Sequence, residues 1–177
     1  MPTLDFWFDF ASTYSYPAAM RVAPLAAEAG VAVRYRPFLL GPIFKLQGWD
    51  TSPFNVYEAK GRHMWRDLER LCADLALPFR RPAPFPQNSL LAARVALVGL
   101  GDDWGEAFCR AVFHAEFAEG RPIDEAVVIG GILADLKRDP KAVLDAAHRV
   151  GENVRSSAAL VADDLRPFDA DQRRDVP

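Results

Sequence analysis

Two stretches of alternating apolar residues, with a helical run between them, fill the first forty positions and limit the fold more than anything later in the chain. Leu4, Phe6, Phe8 and Phe10 recur with period two, as in a strand that lays one face on a core. Trp7 on the opposite face implies that this side is partly covered too, as in a central strand of an α/β sheet. After Pro17 the apolar spacing turns helical, with Met20, Val22, Ala23, Ala26 and Ala27 as the stripe. Pro24 should kink this helix or divide it, and Gly30 stands where a left-handed C-cap is wanted. Val31, Val33 and Tyr35 then open a second strand that reaches Leu40. Strand, helix and strand in so short a length imply a parallel pair joined by a right-handed crossover.

The first strand meets the helix at Ser12. Such a junction collects unpaired backbone N–H groups and the positive end of a helix dipole, where an anion is stabilised. Ser12, Thr13 and Ser15 also suit a plain N-cap, and caps are commoner than active sites. Both readings stand at this point.

Beyond Leu40 the chain reads as helical. Gly41-Pro42 breaks the strand, Ile43 to Trp49 forms a short helix or loop, and Asp50 to Asn55 a polar turn. A helix is expected over 56–75, then a loop with Pro78, Pro82, Pro84 and Pro86. Asn88-Ser89 suits the cap of a helix running to Gly99 or Gly101. Further helices are expected over 104–117, 123–136 and 140–150, the last begun by Asp139-Pro140. His114 falls near the apolar side of its helix and reads as a hydrogen-bonded core histidine; no His, Cys and carboxylate spacing suggests a metal site. These boundaries give an N-terminal βαβ unit at 1–40, a helical insertion at 41–150 and an atypical, partly disordered tail at 151–177.

Composition narrows the partners. A net charge of −3 with no basic block argues against nucleic acid and anionic membranes. No apolar run reaches the ~18 residues of a spanning helix, and the N-terminal run is interrupted by Asp5 and Asp9, unlike a signal peptide. Cys72 and Cys109 read as two buried thiols, and the expected location is cytoplasmic.

Two strands are too few for a stable sheet, so the βαβ unit should belong to a larger fold. The stretch from Phe8 to Tyr16 resembles the opening of the 2-hydroxychromene-2-carboxylate isomerases, DsbA-like members of the thioredoxin superfamily related to kappa-class glutathione transferases. Three further segments match in order: Arg36 to Phe44; Asn55 with Lys60 and Met64-Trp65-Arg66-Asp67; and Phe85 to Ser89 leading to Ala92 and Arg94. The resemblance implies a thioredoxin-like fold interrupted by a helical domain, with glutathione bound at the strand–helix junction. Ser12 corresponds to the first cysteine of the oxidoreductases' C-x-x-C, and no cysteine stands between Ser12 and Ser15, so dithiol redox chemistry is excluded there. A serine hydroxyl can instead donate to the glutathione sulfur and favour the thiolate. By resemblance Ser12 is the catalytic residue, Ser12, Asn55 and Lys60 bind glutathione, and Lys45 and Asn88 bind an aromatic carboxylate substrate. Read from the residues alone, Asn55 and Asn88 serve equally well as helix caps, and Lys45 and Lys60 as surface charges.

The implied reaction adds the thiolate to 2-hydroxychromene-2-carboxylate, opens the ring, permits rotation about a transiently single bond and expels glutathione, giving trans-o-hydroxybenzylidenepyruvate. The family's last third, with a Val-Pro segment, two antiparallel strands and a closing helix, is not found after Asn153, and the tail reads as truncated or frame-shifted. A kappa-like conjugating transferase and a non-catalytic remnant are the alternatives, and a homodimer is the expected assembly.

Overall fold

The computed structural model describes residues 1–150. In chain order it holds β1 (Thr3–Phe8), α1 (Ser15–Glu28), β2 (Ala32–Pro37), α2 (Leu40–Leu46), α3 (Pro53–Val56), α4 (Glu58–Asp74), α5 (Leu90–Gly99), α6 (Gly105–Phe117) and α7 (Ala126–Asp135), with a further helical run over 140–150. β1 and β2 pair in parallel from Thr3↔Ala32 to Phe8↔Pro37, so both strands end level at one edge. The expected βαβ unit is therefore present, and from residue 40 onward the described elements are all helices. The Val-Pro segment, strand pair and tail helix sought beyond Asn153 lie outside the described residues.

The strand ends earlier than its alternation suggests. Phe10 keeps the inward direction but belongs to a turn, and β1 stops at Phe8. Phe8, Phe10, Tyr16, Phe113 and Phe117 are fully buried, with Phe10 and Phe113 ring centroids 5.0 Å apart and Tyr16 stacked on Phe117 at 5.4 Å. Trp7 was expected to be partly covered but is 55 % exposed. α1 runs unbroken through Pro24, so the helix is not divided there. Pro24 lies on the exposed side, where the carbonyl left free by its missing N–H can meet water.

Gly30 closes α1 as expected, at φ +65°. Val31 N–H bonds Ala26 O at 2.8 Å and Gly30 N–H bonds Ala27 O at 3.1 Å, the paired bonds of a Schellman turn. α4 ends with the same pair of bonds, Leu77 N–H to Cys72 O and Ala76 N–H to Ala73 O, but Ala76 holds the left-handed position at φ 52°. Its Cβ is exposed and strained there. Ala76→Gly should therefore stabilise the protein by about 0.5–1 kcal/mol, the relief being partly offset by a freer unfolded chain. A higher urea midpoint at unchanged slope would show it, and an unchanged midpoint would refute it.

His114 does not sit in the core. Its side chain is 48 % exposed, with Nδ1 3.3 Å from Glu119 Oε1. Glu116 is buried instead, at 0 % exposure, because positions 109, 112, 113, 116 and 117 share one face of α6 and position 114 lies off it. Cys72 and Cys109 are free, buried thiols as read from the sequence.

Candidate functional site

A cavity of about 710 Å³ opens at the edge where both strands end. The turn after β1 supplies Asp9, Ala11, Ser12 and Thr13; the exit of β2 and α2 supply Leu39 to Pro42, Phe44 and Lys45; the segment before α3 supplies Trp49 to Ser52; and the segment leading into α5 supplies Phe85 to Leu90. This is where ligands gather in α/β folds, outside the carboxyl ends of parallel strands.

One carboxylate ties these walls together. Asp9 is 3 % exposed; its Oδ1 accepts Ala11 N–H at 2.9 Å and the Ser89 hydroxyl at 2.6 Å, and its Oδ2 accepts Leu40 N–H at 2.6 Å. The Ala11 bond is an Asx turn, which bends the chain out of β1. The Leu40 bond satisfies the first N–H of α2, and the Ser89 bond anchors the start of α5. Gln87 fixes the same wall from behind, accepting Ile123 N–H at 2.7 Å and donating to Arg121 O at 3.3 Å.

Ser12 is half-buried and faces the cavity. Its N–H bonds Asp9 O at 3.0 Å and its carbonyl accepts Ser15 N–H at 3.1 Å, while its hydroxyl meets no partner among the described residues. The plain-cap reading is not what the turn adopts: the N-cap of α1 is Tyr14, and no side chain caps the helix. The N–H groups of Thr13 and Tyr14 have no acceptor among the described residues, so the helix end keeps donors beside Ser12. The Tyr14 hydroxyl donates to Asp67 Oδ2 at 2.8 Å; burial and that bond push its pKa up to about 12, so it stays protonated.

Of the other residues singled out from sequence, Lys45 and Asn88 line the cavity with Ser12. Asn88 also acts as a cap, its Oδ1 accepting Leu90 N–H at 3.0 Å. Asn55 stands behind the wall, donating to Thr51 Oγ1 at 3.0 Å and Phe85 O at 2.9 Å, so it braces two lining segments. Lys60 lies farther back on α4, with Nζ 5.9 Å from the centroid of Phe54, itself a lining residue. Phe54 is held against α4 at Gly61, where an added Cβ would fall 2.2 Å from Phe54 O.

Sequence reasoning passed over Asp9, Ser89 and Gln87 as site residues. The usable signal was local: an Asp two positions before Ala11, at the end of an apolar strand, is an Asx turn in waiting. Among the described residues no group of three His, Cys, Asp or Glu is placed to hold a metal, and no helix is long and apolar enough to cross a membrane.

Comparison with known proteins agrees with this geometry. Residues 3–161 match the DSBA-like thioredoxin domain. A 2-hydroxychromene-2-carboxylate isomerase of Sphingobium xenophagum is 32% identical over 144 residues, 81% of this chain and 72% of that protein. The solved structure of a 2-hydroxychromene-2-carboxylate isomerase superposes with a TM-score of 0.73 at 25% identity, over 88% of this chain and 78% of the other. Glutathione S-transferase kappa 1 of Caenorhabditis elegans is 35% identical over 86 residues, 48% of this chain and 37% of that protein.

Proposed function

Since the chain belongs to the DSBA-like thioredoxin family, in the branch of the 2-hydroxychromene-2-carboxylate isomerases, we propose that it is a glutathione-dependent isomerase. Its reaction would interconvert 2-hydroxychromene-2-carboxylate and trans-o-hydroxybenzylidenepyruvate, a step in aromatic catabolism. The observation that carries this reading is the unengaged Ser12 hydroxyl beside the free N–H groups of Thr13 and Tyr14, in a cavity that also contains Lys45.

The residues present fit glutathione. The helix-end donors suit an anion, the Ser12 hydroxyl suits a sulfur acceptor, and the cavity volume suits a tripeptide with a small aromatic partner. When bound, glutathione would supply the thiolate that adds to the substrate and is later expelled. Ser12 donates to the sulfur and, with the Thr13 and Tyr14 amides, lowers the energy of the anion. Lys45 offers its ammonium to a carboxylate, and Asn88 adds an amide at the same rim. Phe44, Trp49, Phe54 and Phe85 give the cavity aromatic walls for a planar ring and exclude water around the sulfur. In this scheme residues 1–40 provide the thiolate turn and the helical insertion over 41–150 provides the substrate walls, with Asn55 and Lys60 acting through the segments they brace.

Titration with glutathione tests the reading, followed through the fluorescence of Trp49 in the cavity wall. Saturable binding is expected. Ser12→Ala removes a hydrogen bond to a charged acceptor, worth about 1.5–3 kcal/mol. The pKa of the bound thiol should therefore rise by about one to two units in the variant. No saturable binding by a folded sample would overturn the assignment. The kappa-class match favours a second reading, in which the adduct is released and glutathione is consumed; product analysis separates the two, since an isomerase returns it unchanged.

A further inference from the structure

The site contains a fixed negative charge of its own, an unexpected neighbour for a thiolate. All three groups that touch the Asp9 side chain donate to it, so what they hold is the carboxylate. Asp9, Lys45 and Asp50 are the charged side chains that line the cavity. Lys45 and Asp50 are exposed and screened, whereas Asp9 is desolvated and acts over a longer range. In Glu116, the other buried carboxyl among the described residues, burial foremost, then the charges of Asp9 and Asp124, push the pKa well above the usual carboxylate range and so favour its neutral form.

We propose that Asp9 and Ser89 are paired positioning residues for the Ser12 site: the Asp9 carboxylate fixes the turn and opposes a neighbouring anion, and the Ser89 hydroxyl weakens that opposition. The inference rests on the reading of Ser12 as the group that faces a thiolate. Reversible addition makes two demands on one sulfur, which must attack and then leave. Nucleophilicity falls as a thiol becomes more acidic, and a poorly acidic thiol leaves slowly. A helix end and a hydroxyl alone drive the sulfur toward a stable, sluggish thiolate. A partly compensated carboxylate beside them returns it to the middle of the range, where both steps run.

The S12C variant puts a thiol at the same turn and reports the local field without glutathione. Burial pushes the Cys72 thiol up to about 11 and the Cys109 thiol beyond it, so neither titrates in the working window. Adding S89A to S12C should raise the reporter's pKa by roughly one unit, followed by thiolate absorbance. Adding D9N should lower it by a similar amount. An Asn at position 9 keeps the Oδ1 that serves Ala11 and Ser89 and gives up only the bond from Leu40. A merely structural role would loosen the turn in both double variants and move both upward. Opposite signs support the charge pair, whereas no rise with S89A or a rise with D9N overturns it. Both readings raise the S89A reporter, so should D9N fail to fold, amide exchange at Ala11 in the S89A double variant decides: a raised pKa with unchanged exchange supports the charge pair, and faster exchange overturns it. Glutathione titration of the wild type is scored apart: absent binding removes the proposed function, while the reporter still tells whether Asp9 and Ser89 set the field.

Discussion

Asp9→Ala is expected to lose about 3–5 kcal/mol of stability, a large part of the roughly 5–15 kcal/mol that holds a domain together. The substitution deletes a single acceptor group, but three donors depend on it: Ala11 N–H, Leu40 N–H and the Ser89 hydroxyl. Each loses a bond to a charged partner, worth about 1.5–3 kcal/mol. Water entering from the cavity can re-solvate some of them, which keeps the total below the sum. Asp9→Asn should cost clearly less, because its amide oxygen can still serve two of the three. Urea unfolding orders the variants, and amide exchange at Ala11 and Leu40 locates the loss. An Asp9→Ala protein within 1 kcal/mol of wild type would show that the three walls hold together without their shared anchor.

The second large effect is a pH dependence that one substitution removes. Neither oxygen of Glu116 has a hydrogen-bond partner among the described residues, and the side chain has no exposure. Its pKa lies well above its ordinary value of 4.5, through burial first and then the charges of Asp9 and Asp124. The folded state thus keeps a proton that the unfolded state releases. The stability this proton supports is fully present below pH 4.5 and is lost as pH rises toward the folded pKa, at about 1.4 kcal/mol per pH unit. Glu116→Gln imitates the neutral acid at every pH. The variant should match wild type in acid and gain on it as pH rises above 4.5, the difference cancelling every group the two share. Parallel unfolding midpoints across that range would refute the assignment.

The halves of this molecule were not equally legible in its sequence. The βαβ unit could be read because periods of two and of about 3.6 leave different apolar patterns, and Gly30 marks the boundary between them. The helices α4 to α7 were legible for the same reason, whereas α2 and α3 begin in stretches read as the end of the second strand and a polar turn. Asp9 was missed as a site residue because a strand carried through to Phe10 puts Asp9 on the outer face with Asp5. Only the early end of β1 turns it inward. His114 was placed near the apolar side of its helix, but the phase set by positions 109, 112, 113 and 117 puts position 116 there instead. Ser12 stood out because a strand, a turn and a helix converge on it. Asn55 and Lys60 contact residues 30 and 6 positions away in the chain, Phe85 and Phe54, and spacing alone does not reveal such contacts.

Neither α2 nor α3 contributes a buried residue, yet the segment from Leu39 to Phe54 forms much of the cavity rim. The aromatic core lies elsewhere, among β1, α1 and α6. This stretch of the rim and the aromatic core are therefore encoded in separable parts of the sequence, joined at Asp9 through Leu40. The rim can accumulate substitutions and alter what the cavity accepts while the core stays untouched. A lineage built on this frame could change its diet without first acquiring a surplus of stability.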